Sequence, residues 1–490
     1  MPTLEHLEAV ARGAPPQPLT DDDRARIAAG RAVVERAVES GEAVYGVTTG
    51  FGQLESVRIA PADAAQLQVN LLRSHAVGSG APLPAEIVRG MLLLLGSSLR
   101  RGHSGVRAEV VELVLDLLTH GVTPVVPSKG SVGSSGDLAP LAHLGLVLIG
   151  EGEAMVDGDT LRGEEALARR GLSPVTLGPK EGLAIINGTH LMAAAGGLAI
   201  RDAQRLLDAA TVAVALSLEA FKGSTVPFDP RLHELRGQPG PQRIAQRLKQ
   251  LLDGSPVVAS HADCGRVQDP YTLRCAPQVL GAVADALDYV GGAFERELGA
   301  VTDNPLVFPD DGDILSGGNF HGQPLSLPLD HLALAACELA SFSERRTYAL
   351  LSPSYAGLPP FLTPKPGLSS GLMIAQYAAA ALVNESQVLA HPAGAGSIPT
   401  SAGQEDFNSM GATAALKART AVENAAQVIA TELVCAVQGL EFHRPLRTTE
   451  RLEAAAAKVR EHVPRVEEDR SLAAELAGLA EALRTGEVVL

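Results

Sequence analysis

Apolar residues recur at helical spacing along most of the chain. Residues 21–39 predict a helix with Thr20 as its cap. A long apolar segment runs from Pro84 to about Leu118 and is broken near Arg101-Gly102-His103-Ser104-Gly105. Another helix is expected from Leu138 to Ile149, and further ones over residues 188–222, 272–297, 325–350, 371–390 and 406–438. Several exceed the ordinary globular mean of about 11–12 residues. They are rich in Ala and Leu with modest polar faces, which implies burial in a bundle or at a large subunit interface. Met155–Thr176 lies between glycine-containing turns and is expected to hold a small strand pair. Proline-rich stretches at 224–240 and 352–366 read as long loops, and the charged stretch 448–486 as peripheral helices.

The expected fold class is therefore mainly α: an elongated bundle of long helices with attached subdomains. Three regions follow: 1–200 at the N-terminus, a central long-helix bundle over 201–440, and peripheral helices over 441–490. At 490 residues the chain exceeds the usual size of one compact core. No internal repeat or low-complexity tract interrupts it.

Composition narrows the function classes. With 46% apolar and 20% charged residues, the chain reads as globular. The formal charge of −16, with no basic stripe, argues against nucleic-acid binding. No run of about 18 apolar residues suggests a membrane span, and Met1 to Asp23 has no apolar core of a secretion signal. Four cysteines, Cys264, Cys275, Cys337 and Cys435, form no CxxC pair. Reduced thiols and a cytoplasmic location are the expectation, with no metal site: His261 and Cys264 have a metal-like spacing but lack a second pair nearby.

The candidate chemistry centres on Gly130-Ser131-Val132-Gly133-Ser134-Ser135-Gly136-Asp137-Leu138-Ala139-Pro140. This loop is too glycine-rich for helix or strand. If the nitrogen of Gly136 attacks the carbonyl of Ser134, a five-membered ring closes. Loss of water from Ser135 then leaves an exocyclic methylidene, a carbon electrophile that no ordinary side chain supplies. Glycine suits the attacking position because it tolerates strained backbone angles. The plainer reading is a loop capping a helix, with Asp137 as N-cap.

The segment resembles the prosthetic-group loop of the aromatic amino acid ammonia-lyases, in which an Ala-Ser-Gly triad forms 4-methylidene-imidazol-5-one (MIO). Here Ser134 stands in the alanine position. Its side chain hangs off the ring and is not consumed. Five further segments between about residues 40 and 440 carry the same resemblance. Tyr45-Gly46-Val47-Thr48-Thr49-Gly50-Phe51-Gly52 resembles the family's tyrosine loop and implies an acid/base role for Tyr45. Ser74-His75 matches the position that contacts the substrate ring. Glu181-Gly182-Leu183-Ala184-Ile185-Ile186-Asn187-Gly188-Thr189 matches the asparagine motif, with Asn187 bonding the substrate carboxylate or holding the prosthetic group.

Gln268-Asp269-Pro270-Tyr271-Thr272-Leu273-Arg274-Cys275 implies Arg274 as a bidentate carboxylate clamp, Tyr271 near the MIO, and Gln268 shaping the pocket. Ser316-Gly317-Gly318-Asn319-Phe320-His321 places Phe320 against the electrophile. Ser397 to Asp406 carries Glu405, where phenylalanine-specific members have glutamine. A carboxylate there suits an imidazole and would be penalised against a bare phenyl ring. Taken by itself, Glu405 reads as a helix N-terminal carboxylate. Phe407-Asn408 departs from the family's usual His-Val, and Ala393-Gly394-Ala395-Gly396 departs just upstream.

Ser-His with glutamate is the pattern of the histidine-specific members. The resemblance thus implies conversion of L-histidine to trans-urocanate and ammonia, in a homotetramer with shared sites. Either Tyr45 or Glu405 would take the β-proton. The alternatives are a tyrosine or phenylalanine lyase or aminomutase on the same scaffold, or a non-catalytic helical scaffold. The MIO would form from Ser134, Ser135 and Gly136, and no external cofactor is expected.

Overall fold

Thr20 starts the helix Asp21–Ser40 through a capping box. Its hydroxyl accepts from the Asp23 N–H at 3.1 Å, and the Asp23 carboxylate accepts from the Thr20 N–H at 3.0 Å. Gly41 ends the helix at φ +67. The computed structural model describes residues 2–41, 43–50, 57–262, 265–353 and 357–490. Phe51, Gly52 and Cys264 lie outside the described residues, while Cys275, Cys337 and Cys435 are free thiols.

The fold is mainly α, as its apolar periodicity predicts. The chain forms two compact units. The first comprises Met1–Leu198, Gly291–Asp330 and Pro392–Leu416. Helices Ala85–Leu99 and Ala108–Thr119 pack together in it, with the expected break between them. Helix Leu138–Leu148 packs against helices Ala64–His75 and Glu181–Ile186. Pro140 is tolerated there because it falls in the first turn, where its missing N–H has no intrahelical acceptor. The expected strand pair is Glu153–Val156 with Asp159–Arg162, and Thr123–Pro124 adds a third strand beside the former.

The second unit comprises Ala199–Val290, His331–His391 and Lys417–Leu490. Its interior holds an ion pair, Arg346 with Glu432, bonded twice at 2.5 and 2.6 Å. Ser217 and Ser343 each donate to the same carboxylate at 2.7 Å. A buried pair contributes little net stability, but this one is satisfied on the acid side by four donors and fixes how three helices meet.

The long helices expected from the sequence are His190–Phe221, Ala276–Glu297, Gln323–Leu351 and Gly411–Glu441. Gln323–Leu351 is long and apolar enough to cross a membrane, but 67% of its apolar window is buried in the fold, and it carries Asp330, Glu338, Glu344, Arg345 and Arg346.

Three expectations need correction. The helix expected over 272–297 is split: Tyr271–Arg274 makes one turn and the long helix begins at Ala276. The loop expected over 224–240 contains the helix Pro230–Arg236, started by the Asp229 side chain accepting from Arg231 N, with Pro230 at the first helical position. The helix expected from 406 begins only at Gly411, because Thr400 and Glu405 pair backbone to backbone and Ser401, Ala402 and Met410 all take positive φ.

Candidate active site

A cavity of about 940 Å³ opens in the first unit, large enough for an amino acid. Tyr45, His75, Ser134, Ser135, Asn187, Phe320 and Glu405 all line it, and so do Leu71, Leu183 and Ile186. Gly136 lies beside it in the same loop. Among the described residues that line it there is no lysine or arginine.

The serine loop is pinned on every side. Asp137 N–H donates to the Gly188 carbonyl at 2.8 Å, and Gly136 and Gly188 form a parallel bridge. A Cβ on Gly136 would sit 2.1 Å from the Gly188 oxygen, at a φ of +75. Only glycine fits there. The Gly136 N–H itself donates to no partner among the described residues, so an attack by that nitrogen would break no hydrogen bond. Upstream, Val132 O accepts from Met410 N at 2.9 Å. Gly133 O accepts from Gly322 N at 3.0 Å and from the Ser409 hydroxyl at 2.7 Å. Ser134 Oγ is buried without a hydrogen-bond partner, so an alanine would fit its place without loss.

Asp137 does not cap its own helix. It is fully buried and accepts from Ser131 Oγ at 2.8 Å, from Leu191 N at 2.9 Å and from Met192 N at 3.1 Å. The carboxyl thus caps the start of helix His190–Phe221 instead. Burial raises its pKa to about 6, and the nearby Glu297 adds to the rise against those three hydrogen bonds. Behind Gly188, burial lowers His190 to about 4. Thr189 Oγ1 donates to Glu297, whose own pKa burial raises.

The opposite wall comes from the helix Ala64–His75. Gln68 Oε1 accepts from Gly182 N at 2.9 Å and from Leu183 N at 3.3 Å, fixing the helix that ends at Asn187. His75 Nδ1–H donates to the Leu71 carbonyl at 2.9 Å, which leaves the Nε2 lone pair available. Burial holds His75 below its ordinary value, although the Leu71 carbonyl and Glu405 both favour the charged ring. Asn187 Nδ2 donates to Asn304 O at 2.9 Å, beside the buried pair Lys180–Asp303 at 2.7 Å.

Glu405 is not at a helix N-terminus. It sits on the loop that replaces the expected helix start, with Oε1 accepting from Ser135 Oγ at 2.9 Å and Oε2 from Thr400 Oγ1 at 2.6 Å. The departing residues have places of their own. Asn408 is buried and donates to Ile398 O and Thr400 Oγ1. Phe407 stacks on His321, whose Nε2 bonds the Phe407 carbonyl. Thr400, His321 and Asn304 were not singled out in the sequence, because each acts through a contact with a residue that is distant or in a loop without periodicity.

Gln268, Tyr271 and Arg274 belong to the second unit and do not line the cavity. Tyr271 is 68% exposed, with the Arg274 guanidinium 4.4 Å from its ring centre. Arg274 Nε is buried without a partner. Among the described residues no cluster of three or more His, Cys, Asp or Glu could hold a metal ion.

A family model described as aromatic amino acid lyase matches residues 3–461. The histidine ammonia-lyase of Anaeromyxobacter dehalogenans is 52% identical, the match covering 100% of this chain and 98% of that protein. Among solved structures, the histidine ammonia-lyase from Trypanosoma cruzi superposes with a TM-score of 0.92 at 42% identity, over 99% of this chain and 92% of that one. A tyrosine aminomutase from Streptomyces globisporus gives 0.93 at 33% identity, over 99% and 96%.

The buried groups behind the loop predict a pH signature. The unfolded chain protonates His190 near 6.5, whereas the folded chain resists until about 4. The contribution of His190 to stability is therefore full above pH 6.5 and lost as pH falls toward 4. Asp137 works the other way: its contribution is full below 3.8 and lost as pH rises through about 6. Replacing His190 by Gln should expose the Asp137 slope. In denaturant unfolding at a series of pH values, the wild type should gain on His190→Gln by about 3 kcal/mol between pH 4 and 6.5. A difference that stays flat with pH would contradict a buried neutral imidazole.

Proposed function

The chain belongs to the aromatic amino acid lyase family, and from that premise we propose that it eliminates ammonia from L-histidine to give trans-urocanate. The observation that carries the substrate assignment is Glu405. It lies in one cavity with His75 and within 2.9 Å of the Ser135 hydroxyl. An unsubstituted phenyl ring would offer Oε1 no donor, whereas an imidazole N–H satisfies it.

The serine loop fits the prosthetic group the family implies. Gly136 is held where no side chain fits, its nitrogen is unengaged, and the loop is clamped from Gly188, Gly322 and Ser409. MIO closed from Ser134, Ser135 and Gly136 supplies a carbon electrophile that turns the amino group into a better leaving group. The chain's own residues do the rest. Nε2 of His75 and the Glu405 carboxylate both accept, so they hold the two sides of the imidazole in its protonated form, which has two N–H groups. Asn187 bonds the substrate carboxylate or steadies the loop. Phe320 packs over the loop. Tyr45 or Glu405 removes the β-proton as the carbon–nitrogen bond breaks and the carbon–carbon double bond forms. General acid–base catalysis of this kind supplies roughly 10²–10⁴-fold.

The substrate carboxylate suits a cation, and no lysine or arginine is among the described residues that line the cavity. Arg274, with an unpartnered Nε and its guanidinium over Tyr271, suits that role from another copy of the chain. Gln268 and Tyr271 would come with it. This supports sites shared between copies, which we read as a homotetramer; in the same reading the enzyme is cytoplasmic.

Two experiments test this reading. Peptide mass spectrometry should find the Ser134–Gly136 segment lighter than encoded by two waters. Ser135→Ala should keep the encoded mass and the fold but lose nearly all activity. In a panel of histidine, tyrosine and phenylalanine followed by ultraviolet absorbance, histidine should win by orders of magnitude and Glu405→Gln should lose most of that turnover. Faster turnover of tyrosine or phenylalanine would overturn the substrate assignment.

Shared sites predict complementation. Tyr45→Phe and Arg274→Ala, each inactive alone, should regain partial activity when subunits exchange. Proven exchange without recovery, or a monomer mass for active enzyme by light scattering, would count against them.

A further inference from the structure

Glu405 is held by two hydroxyls of different fates. Ser135 Oγ donates to Oε1 at 2.9 Å, and Thr400 Oγ1 donates to Oε2 at 2.6 Å. If Ser135 loses its oxygen as water, the bond to Oε1 disappears and that to Oε2 stays. We propose that Thr400 is a positioning residue for the elimination: it anchors Oε2 so that Oε1, vacated by Ser135, faces the substrate. This rests on the assignments of Ser135 and Glu405 made above.

The surroundings of Thr400 are arranged for that task. Its backbone is fixed to the residue it orients, with Thr400 N–H donating to Glu405 O at 2.9 Å and Glu405 N–H to Thr400 O at 3.4 Å. The Asn408 amide donates to Thr400 Oγ1 at 3.2 Å. With a lone pair so engaged, the hydroxyl hydrogen is left to point at the carboxylate. Asn408 also donates to Ile398 O, and its own N–H donates to Ser397 Oγ at 2.6 Å. One buried amide thus laces both arms of the loop. The substitution at 408, which sets this chain apart from the family's usual valine, supplies a donor where a valine has none. Ser401 and Ala402, between Thr400 and Glu405, take φ of +50 and +52. Strain of that kind persists only where surrounding bonds over-determine it.

The test compares Thr400→Val, which keeps the shape and deletes the hydroxyl, with Thr400→Ser, which keeps the hydroxyl, both in the full chain. Peptide mass is read first. Both variants should be lighter by two waters, like the wild type, so that folding and maturation are intact. Histidine turnover is read second. Thr400→Val should lose about 10- to 100-fold in kcat, the scale of a misplaced reacting group, while Thr400→Ser stays within about threefold of the wild type. The proposal is overturned if Thr400→Val turns over within threefold of the wild type, if Thr400→Ser falls as far as Thr400→Val, or if Thr400→Val keeps its encoded mass, since the hydroxyl would then serve assembly of the loop. A wild type that matures and makes no urocanate would sink the functional reading instead.

Discussion

The contact on which the site depends is backbone against backbone. Gly136 lies so close to Gly188 that it can carry no side chain: a Cβ there would come within 2.1 Å of Gly188 O, and one on Gly188 would in turn come within 2.4 Å of the His190 ring. This contact decides where the loop's peptide planes point. A hydrogen bond can stretch by a few tenths of an ångström, but steric exclusion cannot, so the contact admits no side chain at Gly136. Asn187 precedes Gly188 and Asp137 follows Gly136. The same contact therefore registers a cavity residue and the helix Leu138–Leu148 against each other.

That registration is held by polar groups kept away from water. Asp137, His190, Glu297 and the pair Lys180–Asp303 are all largely buried near Gly188 or Asn187. Each would be expensive to bury alone. Asp137 is offset by three donors, and His190 stays neutral instead of seeking a counter-ion. The second unit solves a similar problem by pairing, in Arg346 with Glu432. Near the loop, Asp137 and His190 titrate in the acidic range, at about 6 and about 4.

The helices were largely legible because apolar spacing and caps are local signals. Thr20 with Asp23 three residues on is a complete N-terminal signature within four residues. Candidate site residues were legible where they sat in glycine-rich segments that packing does not demand, such as those of Tyr45, Ser135 and Asn187. The remainder was hidden because the deciding partner was remote. Asp137 precedes a helix in sequence, yet its carboxylate caps the helix starting at His190, where two N–H groups and burial compete successfully for it. Glu405 looked like part of a helix because charge near a helix start is common, but the bonds between Thr400 and Glu405 fold those residues back on themselves. Pro230 was read as a breaker, and only the neighbouring Asp229 reveals that it opens a helix.

The clamps on the serine loop also set a clock. Gly133 is gripped by Ser409, 276 residues further along, and Ser135 meets Glu405 at a separation of 270. A ribosome adding ~5–20 residues per second needs on the order of 15–50 seconds to cover that distance. For most of that interval Gly188 has been made while Ser409 and Met410, which clamp the loop at Gly133 and Val132, have not. If the loop closes as proposed and needs those clamps, ring closure in a growing chain would wait until nearly the whole protein exists, and the reactive carbon would not meet cellular nucleophiles before there is a cavity to shelter it.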